Sequence, residues 1–354
     1  MKITLKTVVE ADLNHIEFKK PFFKIKAPLM DHLKAYSRVT NLPLQYDELL
    51  QYSDLIPMED ESGEPTLWYS VIYRPSDIDY IEEALKQTYQ LLMMDGEAIP
   101  HLRVASIEFC SFGNSKPFRI KVINEMNDNH DYYYVKRADA SRIYGLELEE
   151  IFSPDKVSFF VTGNTLIEEH IVGVPCDEFI LKNKKVKIEN RLRFAKEFVK
   201  FNERCFSRLL GDMRGYNFVV EIIQDFDNVQ YRMRPIDFDQ QSYEGRKNMY
   251  LPQFYKDNIE LVVLVQELFI PSVIDQYQKE ERTVMRKRFL ASKTRTKSLL
   301  RRMKKDKISS PEYIKNLAKE LSEYHNTDEF LTLKTMGDIL VLHLEKKLSI
   351  KIFS

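Results

Sequence analysis

The chain has 354 residues, of which 44% are hydrophobic and 30% charged, and its formal net charge at pH 7 is -1. This composition is typical of a globular protein, and the nearly balanced charge predicts no general affinity for nucleic acid. No apolar run approaches the ~20 residues that span a bilayer, and residues 1–5 lack a signal-peptide core, so we expect no membrane segment. The cysteines, Cys110, Cys176 and Cys205, show no paired spacing, which argues against disulfides or a zinc site and favours the reducing cytoplasm.

Residues 1–100 mix strand-like and helical patterns and contain no catalytic signature. Residues 3–9 alternate as a strand does, and the acidic, polar segment 58–65 predicts an exposed turn. Helical periodicity is found in three segments: 29–36, 46–52 and 77–94. We interpret this region as an additional N-terminal α/β module.

From about residue 102 the pattern changes to strands. Turn residues at 113–116, 127–130 and 163–164 separate the apolar runs, and Ser141 is suited to cap a helix that ends before Pro154. The predicted elements are strands at 102–112, 118–125 and 131–137, a helix at 141–152, and strands at 157–161 and 165–172.

Residues 173–175 then break the last of these strands, and a long amphipathic helix is predicted over 186–210. A loop containing Asp212 follows the helix. The predicted elements after it are strands at 218–223 and 229–235 joined by a turn at 225–228, and helices from about residue 251 onwards, of which 336–352 has a core-like apolar face.

The most informative pattern is Asp212, Asn217 five residues later, an apolar strand, and a second strand that leads to Asp237. Phosphoryl transfer needs positioning and charge neutralisation, so a protein must hold divalent metal between oxygen ligands and keep a carboxylate near the nucleophile. A tight loop and a β-hairpin bring these three side chains to one place. Glycine and aspartate are also ordinary turn residues, but the ordered set is much harder to obtain by chance.

In its order of elements and in these motifs, the region from about 102 to 280 resembles the protein kinase-like superfamily. It looks more like the aminoglycoside-phosphotransferase-type and atypical branches than the eukaryotic protein kinases. The resemblance implies an α+β, kinase-like bilobal fold, with the module at 1–100, a strand-rich N-lobe at 101–172 and a helical C-lobe with a C-terminal extension at 173–354. It also implies an ATP-binding phosphotransferase that uses Mg or Mn.

The resemblance assigns roles to the loop and hairpin. Asp212 matches the catalytic Asp, which accepts or orients the proton of the acceptor hydroxyl. Arg214 lies where many kinases carry a Lys that neutralises the transferred phosphoryl group. Asn217 and Asp237 match the two metal-binding positions, and Asp239 is either a further metal ligand or an ordinary polar residue.

The resemblance assigns nucleotide-binding roles to the strand-rich region. Lys136 matches the Lys that contacts the α- and β-phosphates, and Glu147 or Glu150, three residues apart on the next helix, is expected to pair with it, with Glu147 preferred.

The remaining nucleotide contacts are expected from backbone groups. The turn that begins at Gly113 and contains Ser115 and Lys116 lies where the Gly-rich phosphate loop belongs. The adenine-binding hinge begins at Glu169 and includes Ile171.

Several features depart from the superfamily pattern. Leu210 stands where kinases usually have His or Tyr, the phosphate loop has one glycine instead of three, and Asp239 replaces the Gly of Asp-Phe-Gly. No Ala-Pro-Glu motif follows. These departures put protein phosphorylation in doubt more than nucleotide binding, so the acceptor is left open between a small molecule and a protein.

The segment 282–307 carries twelve Lys or Arg residues and one acidic residue, Asp306. It predicts either a docking surface for an acidic partner or nucleic acid, or a solvated helical face. The second alternative is favoured because Phe289 is its only aromatic residue. Three alternatives to the phosphotransferase stay open: a nucleotidyl-transferring relative, a pseudokinase scaffold that acts through this basic segment, and a nucleic-acid-binding protein of mixed fold.

Overall fold

The structure is a computed structural model, and it describes residues 20–60, 62–94, 96–183, 190–225 and 228–353. The protein is α+β, with an N-terminal part rich in antiparallel sheet and a C-terminal part that is helical, as predicted. The described residues form two compact units, which we call the sheet unit (residues 20–140 and 157–170) and the helical unit (residues 141–156 and 171–353). The strand predicted at 3–9 lies outside the described residues.

The sheet unit is built on one antiparallel sheet with the strand order β1-β2-β3-β4-β5-β7-β6. The predicted strands from residue 102 to 169 are confirmed, while β1 and β2 were not predicted and flank the expected turn at 58–65. The strands are β1 (Asp54–Glu59), β2 (Pro65–Ile72), β3 (Leu102–Cys110), β4 (Phe118–Asn124), β5 (His130–Arg137), β6 (Phe159–Thr162) and β7 (Thr165–Glu169). The helices are α1 (Ala27–Ala35), α2 (Tyr46–Leu49) and α3 (Ile78–Met94).

One face of this sheet forms the hydrophobic core of the unit. Alternate residues of neighbouring strands, such as Ile107, Ile120 and Tyr133, are buried there, since successive side chains of a strand point to opposite faces. Helix α3 covers this face with Ile81 and Leu85, which are one turn apart. The opposite face carries alternate residues of the same strands, such as Tyr134 and Lys136 of β5.

Strands β1 and β2 extend the predicted N-lobe sheet rather than forming a sheet of their own, because β2 pairs with β3 through Trp68 and Cys110. Residues 54–72 thus share a compact unit with β3 to β7. The division of the chain into three domains at residues 100 and 172 stays a prediction.

The helical unit contains eight helices in the described chain and a small sheet of order β10-β9-β8. The predicted hairpin is confirmed, although residues 226 and 227 of its turn lie outside the description. The long helix is observed from Arg191, after the undescribed residues 184–189. The helices are α4 (Ala140–Phe152), α5 (Cys176–Asn183), α6 (Arg191–Arg208), α7 (Ile259–Leu268), α8 (Pro271–Ala291), α9 (Lys293–Met303), α10 (Pro311–His325) and α11 (Met336–Leu348); the strands are β8 (Val174–Pro175), β9 (Phe218–Asp225) and β10 (Asn228–Pro235).

Helix α4 is fixed within the helical unit by buried polar contacts. Glu149 forms an ion pair with Arg208 at the end of α6, and both side chains are at most 2% exposed. The Tyr144 hydroxyl donates to Asp306 at 2.9 Å. These contacts are needed because a buried charge without a partner is strongly destabilising. They hold α4 against the end of α6 and against the segment that follows α9.

Candidate functional site

The predicted catalytic loop follows α6 and is braced by a residue far along the chain. Asp212 has φ 56°, a left-handed conformation that Asp tolerates better than most residues. Its backbone N–H lies 3.2 Å from the Met249 carbonyl and 3.0 Å from the Tyr255 hydroxyl, which itself donates to Met249. Tyr255 therefore supplies a brace for this loop, in which Leu210 stands where the predicted resemblance would place His or Tyr.

The Asp212 carboxyl group lies in an environment that favours its protonated form. Its side chain is 25% exposed, and its Oδ1 accepts a hydrogen bond of 2.9 Å from Arg214 Nε. Burial raises the pKa of Asp212 to about 6; the Arg214 charge opposes this rise, and the negative charge of Asp237 adds to it. A carboxylate with this pKa is suited to accept a proton near neutral pH.

Asn217 joins the predicted catalytic loop to the segment after β10 that carries Asp237. The Asn217 side-chain Nδ2 donates a hydrogen bond of 2.7 Å to the backbone carbonyl of Asp212. The backbone carbonyl of Asn217 accepts hydrogen bonds from the backbone N–H groups of Ile236, at 3.0 Å, and Asp237, at 3.4 Å. The register of the hairpin, in which Pro235 pairs with Phe218, places these residues side by side. The structure thus brings together three of the predicted site residues.

A short 3-10 turn, Gly215–Asn217, sets the position of Asn217. Gly215 packs so closely on α5 that a Cβ added there would lie 2.9 Å from the Asp177 Cβ. A larger residue at position 215 would therefore displace the turn and, with it, the Asn217 side chain.

The sequence pattern did not single out Arg142, which lies at the centre of this site. Its Nη1 is 2.9 Å from Asp237 Oδ1 and 3.1 Å from Asp239 Oδ1, and its Nη2 donates to the Ile236 carbonyl at 3.2 Å. Arg142 is 2% exposed. It reaches the two aspartates from α4, 95 and 97 positions away in sequence, so no local pattern could have revealed it.

Gly145, one turn beyond Arg142, lets α4 approach the same segment, since a Cβ at this position would lie 2.9 Å from the Phe238 Cβ. The close approach explains how a short α4 backbone segment delivers the guanidinium to Asp237 and Asp239.

The oxygen donors of this site suit Mg, which is commonly held by one or two carboxylates, substrate phosphates and water. Asn217 and the partly exposed Asp237 fit this chemistry. Asp239 does not, because its side chain is only 8% exposed and bonded to Arg142. Within the described ranges, no group of three or more His, Cys, Asp or Glu side chains is arranged to hold a metal ion.

In the sheet unit, Lys136 is buried on β5 and contacts a carboxylate that was not predicted. Its Nζ is 2.5 Å from Glu168 Oε2 on β7, and both side chains are less than 10% exposed. The ammonium group also lies 4.9 Å from the centroid of the Tyr134 ring. The ion pair with Glu168 thus fixes Lys136 between two neighbouring strands. It depends on the register of the sheet, in which Lys136 lies opposite Leu166, and this register could not be read from the sequence.

The helix carboxylates expected to pair with Lys136 have partners of their own in the helical unit. Glu147 is fully buried and forms a bidentate pair with Arg295, at 3.0 and 2.6 Å. Glu150 lies 3.6 Å from Lys156. The pairing of Lys136 with Glu147 or Glu150 joins residues of different units and stays a prediction.

The expected phosphate loop is a structured turn between β3 and β4. Gly113 and Lys116 have positive φ values of 88° and 41°. The Ser115 carbonyl accepts from the Arg137 N–H at 3.3 Å, and the Lys116 carbonyl accepts from the Tyr46 hydroxyl at 2.9 Å. Both carbonyls are thus tied to the sheet unit, while the Lys116 side chain is exposed.

The expected hinge residues lie in different surroundings. The Glu169 N–H donates to the Ser158 carbonyl at 3.0 Å, so this donor is already used inside the sheet unit. Ile171 is 6% exposed in the helical unit. Their contact with adenine stays a prediction.

Much of the basic segment 282–307 is used inside the helical unit. Besides Arg295, Arg282 pairs with Glu203 at 3.0 Å, Arg288 donates to the Glu150 carbonyl at 2.8 Å, and Lys304 pairs with Asp338 at 3.3 Å. These contacts favour a structural role for the segment. Its exposed cationic residues are Arg286, Lys287, Lys293, Arg301, Lys305 and Lys307.

Comparison with known proteins does not assign the chain to a family: no family model matches it, and a search of curated proteins finds no match. Among the helices that the structure describes, none combines the length and apolarity needed to cross a membrane.

Proposed function

We propose that the protein is an ATP- and Mg-dependent phosphotransferase of kinase-like fold that acts on a hydroxyl group of a small molecule or protein. The observation that carries the proposal is the hydrogen-bonded link from Asp212 through Asn217 to Asp237, at 2.7 and 3.4 Å. A proton acceptor and two oxygen ligands for metal are thereby held in one place, as phosphoryl transfer requires.

The order of elements supports the same proposal. Three strands (β3 to β5), helix α4 and two strands (β6 and β7) precede the long helix α6, and the Asp212 loop, the β9–β10 hairpin and further helices follow. This is the order expected of the kinase-like superfamily.

In the proposed reaction, Asp212 accepts the proton of the acceptor hydroxyl. The hydroxyl oxygen forms a bond to the γ-phosphorus of ATP, the bond from that phosphorus to the bridging oxygen breaks, and ADP leaves with the electron pair. The Arg214 guanidinium, beside Asp212, has several N–H donors and is suited to bind phosphoryl oxygens in pairs. Its charge offsets the negative charge of the transferred group.

Asn217 and Asp237 are the residues that would hold Mg. The metal, when bound, neutralises phosphate charge and orients the phosphates. Arg142 keeps Asp237 oriented and compensates the second carboxylate, Asp239. In the sheet unit, Lys136 binds the α- and β-phosphates, with Glu168 orienting its ammonium group.

A second candidate, a non-catalytic nucleotide-binding protein, is favoured by one specific observation. Both the Asp237–Asp239 pair and Lys136 already have internal ionic partners, namely Arg142 and Glu168. Charges that are neutralised within the protein bind metal and phosphate less tightly. A pseudokinase would bind nucleotide and would show no turnover.

The test compares Asp212→Asn with Asp237→Asn in the full chain, measuring the Kd for ATP with Mg and the release of ADP. We expect Asp237→Asn to weaken binding, because a metal ligand acts in the ground state. Asp212→Asn should leave the Kd within about threefold and reduce turnover by at least about 100-fold, because a general base acts in the transition state. Asp275→Asn, at an exposed position of α8, is the matched control.

The absence of binding of any adenine or guanine nucleotide at millimolar concentration, with Mg or Mn, would contradict both candidates. Binding without ADP release above the level of Asp212→Asn would instead select the non-catalytic one.

A further inference from the structure

The sheet unit contains a pocket of about 630 Å³ beside the β3–β4 loop. Its walls include the rings of Tyr46, Tyr52 and Phe109, and two cations, Lys116 and Arg137, line it as well. This volume is within the range of small-molecule sites, about 300–1,000 Å³. All of its lining residues belong to the sheet unit.

The walls of the pocket are held in place by packing and hydrogen bonds. Tyr46 and Phe109 are 3% and 5% exposed. The Tyr46 N–H donates to Thr165 Oγ1 at 2.8 Å, and its hydroxyl donates to the Lys116 carbonyl at 2.9 Å. A pocket with fixed walls binds a ligand without a large ordering cost.

The two cations at the pocket are available to a ligand. Lys116 and Arg137 are exposed, and neither has a carboxylate within 4.0 Å among the residues that the structure covers. The Arg137 guanidinium is oriented by the Phe22 ring, whose centroid is 3.8 Å away. The Arg137 backbone N–H is bonded to the loop at Ser115.

The charge balance of the pocket favours an anion. Asp47 also lines it and is exposed, so two positive side chains face one negative side chain. A ligand with one or two negative charges is matched by the excess positive charge, and hydrogen bonds between ionised groups are the stronger kind. Aromatic walls add affinity for a ring, which prefers offset or edge contacts with other rings.

We propose that this pocket binds a small organic anion that carries an aromatic ring, with its acidic group on Lys116 and Arg137 and its ring against the wall that Tyr46, Tyr52 and Phe109 form. The acidic group can be a carboxylate or a phosphate, since both accept hydrogen bonds from Lys and Arg. The site shares Ser115 and Lys116 with the predicted phosphate loop but also uses Arg137, which has no role in the proposed phosphotransferase. The ATP titrations and the ring-bearing probes below therefore test the two proposals separately.

Calorimetric titration of the full chain tests the proposal with three probes that share a naphthalene ring: 1-naphthyl phosphate, 2-naphthoate and the neutral 2-naphthalenemethanol. We expect both anions to bind at least about tenfold more tightly than the alcohol, since the alcohol lacks the ionic contacts. The stronger of the two anions identifies the acidic group that the pocket prefers.

Three substitutions locate the binding. Arg137→Gln and Lys116→Gln should each weaken the anions about tenfold, and the alcohol by less than about twofold. Leu50→Trp, at an exposed position that lines the pocket, should block all three probes by filling the space. Arg103→Gln removes another exposed cation from the same unit, where Arg103 pairs with Glu125, and should change nothing.

The proposal is overturned if no probe binds at millimolar concentration, if the alcohol binds as tightly as the anions, or if Arg137→Gln and Lys116→Gln behave like Arg103→Gln. Far-UV circular dichroism of each variant confirms that it is folded. Because Lys116 and Arg137 are exposed, we expect their substitution to leave folding intact.

Discussion

The unusual ionisation of Asp212 predicts how its substitution changes stability with pH. In the folded protein its pKa is about 6, against 3.8 for the unperturbed group. One pKa unit corresponds to about 1.36 kcal/mol, so ionised Asp212 reduces the free energy of unfolding by about 3 kcal/mol once the pH is well above 6. Asp212→Asn removes this cost of ionisation and keeps a side-chain oxygen that can accept the hydrogen bond from Arg214.

The sign and the pH window follow from the two pKa values. Well below pH 4, Asp212 is protonated in both the folded and the unfolded chain, and the native protein keeps its full stability. Between about pH 4 and pH 6 the unfolded chain ionises at Asp212 while the folded chain resists ionisation, so this stability is lost. Above about pH 6 both forms are ionised, and the loss stays constant. The advantage of Asp212→Asn should therefore be about 1–2 kcal/mol at pH 5 and about 3 kcal/mol at pH 8.

Urea denaturation of both proteins at pH 5 and pH 8, in the presence of EDTA, measures this difference directly. For 354 residues unfolding together, about 3 kcal/mol corresponds to a rise of about 4 °C in Tm at pH 8. Asp275→Asn, at an exposed position, is the control and should show no such pH dependence. An advantage of Asp212→Asn that is absent, or equal at both pH values, would refute the reasoning.

Three further substitutions test contacts inside the helical unit. Arg142→Met should lower the free energy of unfolding by about 3–5 kcal/mol, because it leaves the buried Asp239 without its cation. In a double-mutant cycle measured by urea denaturation, adding Asp239→Asn should recover part of this loss. Arg295→Gln should cost a similar amount in urea denaturation, since Glu147 is fully buried, whereas Lys293→Gln, on the same helix and exposed, should change stability by less than about 0.5 kcal/mol. Gly145→Ala should cost about 1–3 kcal/mol by thermal denaturation, because its Cβ would clash with Phe238, and an unchanged Tm would show that α4 can move away.

The features that could be predicted from the sequence are those that depend on neighbours along the chain. The strands from 102 to 169, the helix that becomes α4 and the β9–β10 hairpin follow from apolar periodicity and turn residues. The link between Asn217 and Asp237 is also local in this sense, because a hairpin with a short turn fixes which residues lie opposite each other. Strands β1 and β2 and helix α5 were not predicted, although β2, with eight residues, is as long as the predicted strand β5.

Only the tertiary structure decided which charges meet. Arg142 reaches Asp237 across 95 positions in sequence, and Glu147 meets Arg295 across 148. Lys136 pairs with Glu168 of a neighbouring strand, whereas helical spacing had predicted a partner on the next helix. Many carboxylates in the chain are equally plausible partners for a given cation when only sequence is considered. The choice among them depends on which side chains become buried together, since burial makes an unpaired charge costly and an exposed one nearly neutral. The sequence by itself thus determined the elements and the local Asp212–Asn217–Asp237 arrangement, while packing determined the ionic environment in which these groups act.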